Sequence, residues 1–135
     1  MNPLLEKKLN QEFPDLIPED LIFECLDGWY QIIRDVCYLI DKRERNIVPK
    51  GYYSFSQPEN SFSEIEINQV KEKFGGLRIY YYGADDIVTG IVEMAERHSL
   101  STCENCGNPA ECKAYGQLIK TLCSNCSSIL GKSCD

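Results

Sequence analysis

Two Cys-x-x-Cys pairs near the C-terminus constrain this chain more than any other feature. The pairs are Cys103-Glu-Asn-Cys106 and Cys123-Ser-Asn-Cys126, and sixteen residues separate them. A two-residue gap lets each pair bend into a tight turn, or knuckle, and the intervening stretch is long enough for a hairpin that brings both knuckles to one metal ion. The four cysteines therefore predict a zinc ribbon in which four thiolates hold one Zn²⁺.

The residues around the two knuckles agree with a ribbon. Gly107 can adopt the positive φ that the first knuckle requires, and Pro109 stops further regular structure. Residues 110–115 and 117–122 are predicted to form two strands that turn near Gly116. Because a shell of four thiolates leaves no open position for water, the predicted zinc is structural and not catalytic.

Disulfides and redox chemistry fit these cysteines less well than a metal does. Structural disulfides need an oxidising compartment, yet Met1 is not followed by an apolar signal segment. A dithiol redox centre usually lies between a strand and a helix N-terminus, a setting that neither pair has. His98, Cys112 and Cys134 lie in the same region and could compete for the metal. For His98, a place in the last turn of a helix is the alternative, because a cation is favourable there.

The chain before the ribbon alternates between helical and strand patterns. Predicted helices cover residues 3–12, 27–43 and 85–98; predicted strands cover residues 63–71 and 77–82; residues 46–62 are predicted to form an ordered loop. Gly75-Gly76 supplies a tight turn between the strands, since no Lys-Ser/Thr follows to complete a phosphate loop. Trp29 and Ile33 are predicted to pack against this hairpin.

Together these elements predict an α+β fold with an antiparallel β-hairpin or sheet, amphipathic helices and a C-terminal zinc ribbon. We expect an α+β body at residues 1–99 and a zinc-ribbon appendage at 100–135 that packs on the body. The chain has 135 residues, of which 43% are hydrophobic, and no apolar run approaches the roughly eighteen residues that span a bilayer. These properties predict a soluble cytoplasmic protein without a membrane role.

The charge distribution bears on the class of partner. The formal net charge is −7, whereas residues 100–135 carry three lysines and three acids and are neutral. Phosphate backbones are bound by clustered lysine and arginine, which this ribbon lacks, so nucleic acid is not the favoured partner. The acidic N-terminal residues Glu19, Asp20 and Glu24 are predicted to contact a basic protein partner.

The hairpin carries three cations, Lys71, Lys73 and Arg78. Alternate residues of a strand share a face, so these side chains could recognise an anionic ligand. A cross-strand ladder of ion pairs is the preferred interpretation, and its acids would be Glu64, Glu66 and Glu72.

Three stretches together resemble a known group of proteins. They are Asp-Gly-Trp-Tyr at 27–30, Gln-Val-Lys-Glu-Lys-Phe-Gly-Gly-Leu-Arg-Ile-Tyr at 69–80, and Ser-Thr-Cys-Glu-Asn-Cys-Gly at 101–107 with Ile-Lys-Thr-Leu-Cys at 119–123. They are similar to a family of small, uncharacterised zinc-ribbon proteins from bacterial, phage and prophage genomes. The resemblance covers roughly residues 25–126. The resemblance implies that many relatives have a histidine at the last ligand position, where this chain has Cys126. It suggests a role in conflict between phages, mobile elements and hosts, and it implies no established activity.

No catalytic set is recognisable in the chain. His98 is the only histidine, no Gly-x-Ser-x-Gly motif is present, and the acids are spread over predicted surfaces. We therefore expect a protein that is not an enzyme. The predicted function is a zinc-binding protein-interaction module, an immunity protein or inhibitor that occludes a partner protein. The alternative is a nucleic-acid-associated accessory factor that uses the ribbon or the hairpin lysines.

Overall fold

A computed structural model of the protein describes residues 1–46 and 65–130. The elements in chain order are α1 (Pro3–Glu12), β1 (Phe23–Glu24), a 3₁₀ turn (Asp27–Trp29), α2 (Tyr30–Asn46), β2 (Glu66–Lys73), β3 (Gly76–Tyr82), α3 (Asp86–Ser99), β4 (Glu111–Tyr115), β5 (Leu118–Leu122) and α4 (Ser124–Leu130). The predicted α+β class is confirmed. The loop predicted at 46–62 lies, from residue 47 onward, outside the described residues.

Three strands form the main sheet in the order β1-β2-β3. β2 and β3 are antiparallel, with Lys71 opposite Arg78, and a β-bulge lies between Ile67 and Gln69. β1 adds in parallel to the other side of β2, where Phe23 pairs with Val70. The sequence analysis missed β1 because two residues are too short to show alternation.

The turn between β2 and β3 differs from the predicted one by one position. The residues with positive φ are Phe74 (52°) and Gly75 (78°), whereas Gly76 already belongs to β3 and pairs with Lys73. Two consecutive positive φ angles are the requirement of a type I′ hairpin turn. Phe74 adopts a conformation that is unfavourable for a bulky residue. The Gly75 N–H donates to the Glu72 carboxylate at 2.7 Å, which supports this tight turn.

The core lies between the inner face of this sheet and helices α1, α2 and α3. Trp29 and Ile33, both 0% exposed, belong to the same buried cluster as Val70 and Leu77 of the hairpin. Helix α3 begins with a side-chain cap from Asp85, whose carboxylate accepts from the Val88 N–H. The amphipathic periodicity of α2 and α3 thus buries one stripe of each helix, as the sequence pattern predicts.

Two cysteines of the body behave as buried apolar residues. Cys25 is 5% exposed and Cys37 is 0% exposed. Burial raises the pKa of each thiol to about 12, because the thiolate loses its hydration in the core. These two side chains therefore remain protonated and chemically inert at neutral pH.

Side chains from α3 occupy the free edge of β3. Ser99 Oγ accepts from the Leu77 N–H at 2.9 Å, and Glu96 Oε1 accepts from the Ile79 N–H at 3.0 Å. These bonds make β3 a poor edge for an added strand at these positions. The outer face of the sheet is more accessible, since Tyr80 and Tyr82 there are 42% and 70% exposed.

Within 1–46 and 65–130, no helix combines the length and apolarity needed to cross a membrane.

Candidate metal centre

The ribbon consists of the β4–β5 hairpin and helix α4. The hairpin turns at Gly116, which has a φ of 65°, and pairs Cys112 with Thr121, in agreement with the predicted ribbon strands. Cys123 directly precedes α4, and Cys126 lies in the first turn of this helix. The sequence analysis missed α4 because its serines and asparagine are weak helix formers.

The four predicted ligands converge on one point. The Sγ atoms of Cys103, Cys106, Cys123 and Cys126 all lie within 4.8 Å of one another. The Cys106 and Cys123 sulfurs are 3.6 Å apart. Zn–S bonds of about 2.3 Å in a tetrahedron place the sulfurs about 3.8 Å apart, so the cluster has the dimensions of a tetrahedral metal site. All cysteines within the described residues are free thiols.

Backbone N–H groups favour the thiolate form of Cys103 in the first knuckle. Burial disfavours the Cys103 thiolate, but the N–H groups of Cys123, Cys106 and Asn105 outweigh burial and lower the pKa of Cys103 to about 7. At Cys106 the Asn108 N–H favours the thiolate, yet desolvation and the neighbouring sulfurs raise the pKa to about 12. The Cys103 thiolate therefore forms more readily than that of Cys106, whose ionisation the positive charge of a metal ion would favour.

The cluster has a buried side and an open side. Cys103 and Cys123 are buried, Cys126 is half-buried and Cys106 is exposed. Asn105 Nδ2 donates to Cys126 Sγ at 3.2 Å across the two knuckles. A metal ion can therefore reach the cluster from solvent, while the inner two sulfurs hold its position against the body.

Two of the other candidate ligands, His98 and Cys112, do not join this cluster. His98 is exposed at the end of α3, and its carbonyl oxygen accepts from Ser101 and Thr102, which agrees with the predicted place in the last turn of a helix. The Cys112 thiol is exposed and lies 3.8 Å from the Phe74 carbonyl oxygen at the tip of the β2–β3 hairpin. Cys134 lies outside the described residues.

The first knuckle rests on the 3₁₀ turn at the start of α2. The Gly28 N–H donates to the Glu104 carbonyl at 2.7 Å, and Trp29 Nε1 donates to the Thr102 carbonyl at 2.8 Å. A Cβ atom on Gly28 would lie 2.1 Å from the Cys103 carbonyl oxygen. Only glycine fits this position, because the obstacle is backbone and cannot rotate away.

The ribbon hairpin rests on the tip of the β2–β3 hairpin. Thr121 Oγ1 donates to the Gly75 carbonyl at 2.6 Å, and Lys120 Nζ lies 2.7 Å from the Glu72 carboxylate. Glu104 Oε2 lies 3.6 Å from Lys120 Nζ and has no hydrogen-bond partner within the described residues. Burial raises the pKa of this Glu104 carboxyl group. Sequence reasoning missed the Glu72–Lys120–Glu104 group because its members lie far apart in the chain.

The predicted ladder of hairpin ion pairs is wrong for Glu72, which turns toward the ribbon and pairs with Lys120. Of its other predicted acids, Glu66 pairs in register with Tyr82 and forms no ion pair within 4.0 Å among the described residues, and Glu64 lies outside the described residues. In the described ranges no ion pair within 4.0 Å involves any of the three cations (Lys71, Lys73 and Arg78). These charges therefore remain available on the outer face of the sheet.

The predicted partner-binding acids lie on the surface. Glu19, Asp20 and Glu24 are exposed. Asp20 and Glu24 line a groove of about 630 Å³, to which Ile22, Glu66 and Tyr80 also contribute. Glu19 is adjacent in the chain but does not line the groove. Binding of a partner by these acids stays a prediction.

Comparison with protein-family models, with curated proteins and with solved structures finds no match. The family resemblance and the division of the chain at residue 99 therefore stay predictions. The metal centre is supported by its geometry alone.

Replacement of Gly28 by alanine is expected to separate the knuckle from the body. The new methyl group would overlap the Cys103 carbonyl, and relief requires a backbone shift that also breaks the Gly28–Glu104 hydrogen bond. We expect a loss of about 3 kcal/mol in the free energy of unfolding. Gly90→Ala is the matched control, because a Cβ there meets nothing within 4 Å and α3 should gain about 0.5–1 kcal/mol. Equal urea midpoints for the two variants would contradict the close contact.

Proposed function

We propose that the protein is a zinc-binding protein-interaction module without enzymatic activity. The observation that carries the proposal is the four-sulfur cluster, whose dimensions suit a tetrahedral ion. A site of four thiolates in a tetrahedron favours Zn²⁺ over the harder divalent ions, which prefer oxygen ligands. Cys103, Cys106, Cys123 and Cys126 would be the ligands, and a shell closed by four thiolates makes the proposed ion structural.

The proposed ion stabilises more than the ribbon. The first knuckle of the ribbon is hydrogen-bonded to Gly28 and Trp29 at the start of α2. The β4–β5 hairpin, which joins the two knuckles, is hydrogen-bonded through Thr121 to the tip of the β2–β3 hairpin. A metal that orders both knuckles therefore also holds the helix start and the hairpin in place. We propose that this support keeps the outer face of the sheet rigid for binding, which reduces the entropy lost on association.

We propose that the partner is a basic protein and that the protein acts in the cytoplasm by occluding it, as an immunity protein or inhibitor does. The groove beside β1 supports this proposal, because acidic side chains line it together with the exposed residues Ile22 and Tyr80. Interfaces commonly combine an aromatic or apolar centre with a polar rim. Acidic groups at such a rim accelerate encounter with a positively charged surface.

A nucleic-acid-associated accessory factor is the second candidate. The observation in its favour is the position of Lys71, whose Nζ lies 5.6 Å from the centre of the Tyr80 ring. Lys73 lies at the same distance from the ring of Phe74, which is 69% exposed. Cations interleaved with aromatic rings are typical of surfaces that bind single strands. Tight binding of an unstructured oligonucleotide at physiological salt would favour this candidate over the first.

Reversal of Glu19, Asp20 and Glu24 to lysine is expected to slow association with the basic partner. The three acids are exposed, so folding and metal content should be unchanged. The partner would be identified by cross-linking and mass spectrometry, and stopped-flow measurements on the purified pair would give the rate constants. We expect the association rate to fall by about tenfold at low salt and less at high salt.

The matched control reverses three exposed acids elsewhere, Asp35, Glu93 and Glu111, and changes the net charge equally. It should alter the association rate much less. An unchanged association rate after reversal of Glu19, Asp20 and Glu24 would contradict partner binding by these acids, even if the protein still binds zinc.

A further inference from the structure

The outer face of the sheet carries two groups of opposite charge. The acidic group comprises the groove residues Asp20, Glu24 and Glu66. The basic group comprises Lys71 and Lys73 at the end of β2 and Arg78 on β3, none of which lines the groove. Exposed apolar and aromatic side chains accompany them, with Ile22 70%, Tyr80 42% and Tyr82 70% exposed. The acidic groove lies toward the Glu66 end of β2 and the basic group lies toward its Lys73 end, with Glu24 beside Lys71 where the two groups adjoin.

These six charges form no ion pair within 4.0 Å with one another or with any other described residue. Lys71 and Arg78 are direct cross-strand partners, an arrangement in which like charges destabilise a sheet. Glu24 pairs in register with Lys71 on the neighbouring strand, but no ion pair joins their side chains. Carboxylates from another molecule would relieve the repulsion between Lys71 and Arg78.

We propose that this face binds a second copy of the same chain, and that the two copies form a two-fold symmetric dimer. In such an interface the same patch meets itself, so each contact occurs twice. A two-fold axis near Gln69 and Tyr80, which are opposite each other in the hairpin, places the basic group of each copy against the Asp20 and Glu66 part of the other copy's acidic groove. The exposed apolar residues then form the dehydrated centre and the charges form the rim.

The dimer and the proposed foreign partner would use the same groove. Self-association therefore covers the acidic residues until a partner with a stronger positive charge displaces the second copy. The dimer itself does not depend on the proposed function, since the charges and exposed side chains that form it belong to this chain alone.

Charge-reversal variants test the dimer. Sedimentation velocity on the zinc-loaded protein should show a monomer–dimer equilibrium that weakens between about 50 mM and 500 mM salt. Lys71→Glu/Arg78→Glu and Asp20→Lys/Glu66→Lys should each weaken the dimer by at least about tenfold, because both copies then present like charges. Lys7→Glu/Lys8→Glu is the control for the first variant, since it makes the same charge change at exposed positions of α1 and should leave the dimer intact.

Mixing the two reversed variants is the decisive step. In the mixed pair, the unchanged acidic groove of the Lys71→Glu/Arg78→Glu variant meets the unchanged basic group of the other variant. The two reversed groups, one now acidic and the other now basic, also attract each other. We therefore expect a heterodimer at least as stable as the wild-type dimer, detected by sedimentation of the mixture. A wild-type protein that is monomeric at about 100 µM in low salt would overturn the proposal. So would a dimer that neither reversal weakens, or a mixture of variants that does not associate.

Discussion

Replacement of Cys106 by serine is expected to abolish stoichiometric zinc binding and to unfold the ribbon. A serine hydroxyl does not supply the thiolate that the soft tetrahedral site requires. Structural zinc sites contribute an apparent binding free energy of about 10–16 kcal/mol, so loss of one ligand removes a large part of the energy that orders both knuckles. Because the first knuckle is bonded to Gly28 and Trp29, we expect the start of α2 to loosen as well.

Elemental analysis of the purified protein should find one zinc per chain in the wild type and much less in Cys106→Ser. Hydrogen exchange should show lost protection over β4, β5 and α4, and a chelator should produce the same pattern in the wild type. Cys112→Ser is the matched control, because its exposed thiol lies outside the cluster. Wild-type protein that contains disulfides instead of zinc would contradict the metal site, as would equal zinc loss in the two variants.

Trp29→Ala is expected to lower the free energy of unfolding by about 4 kcal/mol or more. The ring is completely buried, and removal of a buried tryptophan typically costs about 3–5 kcal/mol through lost burial and an incompletely closed cavity. The change also removes the Nε1 donor from the partly buried Thr102 carbonyl, and the loss of this hydrogen bond adds to the cost. A loss of this size is a large fraction of the stability of a small domain.

Trp29→Phe separates these two contributions. It keeps most of the buried ring but lacks the donor, so its stability should lie between those of the wild type and Trp29→Ala in urea denaturation. Trp29 is the only tryptophan, so the fluorescence of the folded wild type reports this site alone. We expect blue-shifted emission that iodide quenches weakly. Strong iodide quenching in the folded protein would show that the ring is accessible and would remove the basis for the prediction.

Local patterns in the sequence were sufficient for the three helices and the β2–β3 hairpin of the body, though not for β1, and for the candidate metal ligands. The spacing of two Cys-x-x-Cys pairs selects four residues whose sulfur atoms converge in the structure. Helical periodicity likewise locates α1, α2 and α3. These features depend on neighbours within a few residues, and such relations are visible in the order of the residues.

The tertiary structure alone decided how these parts meet. Trp29 and Thr102 are 73 positions apart, and no local pattern reports that their hydrogen bond joins the start of α2 to the ribbon. Glu72 illustrates the same limit, because alternation places it on a strand but only packing against the ribbon pairs it with Lys120. Among the described residues, that pairing leaves Lys71 and its cross-strand partner Arg78 without an ion pair. The sequence determined the four candidate metal ligands and the main local elements. The partners of its charged side chains depended on contacts between distant segments, which form only when the whole chain packs.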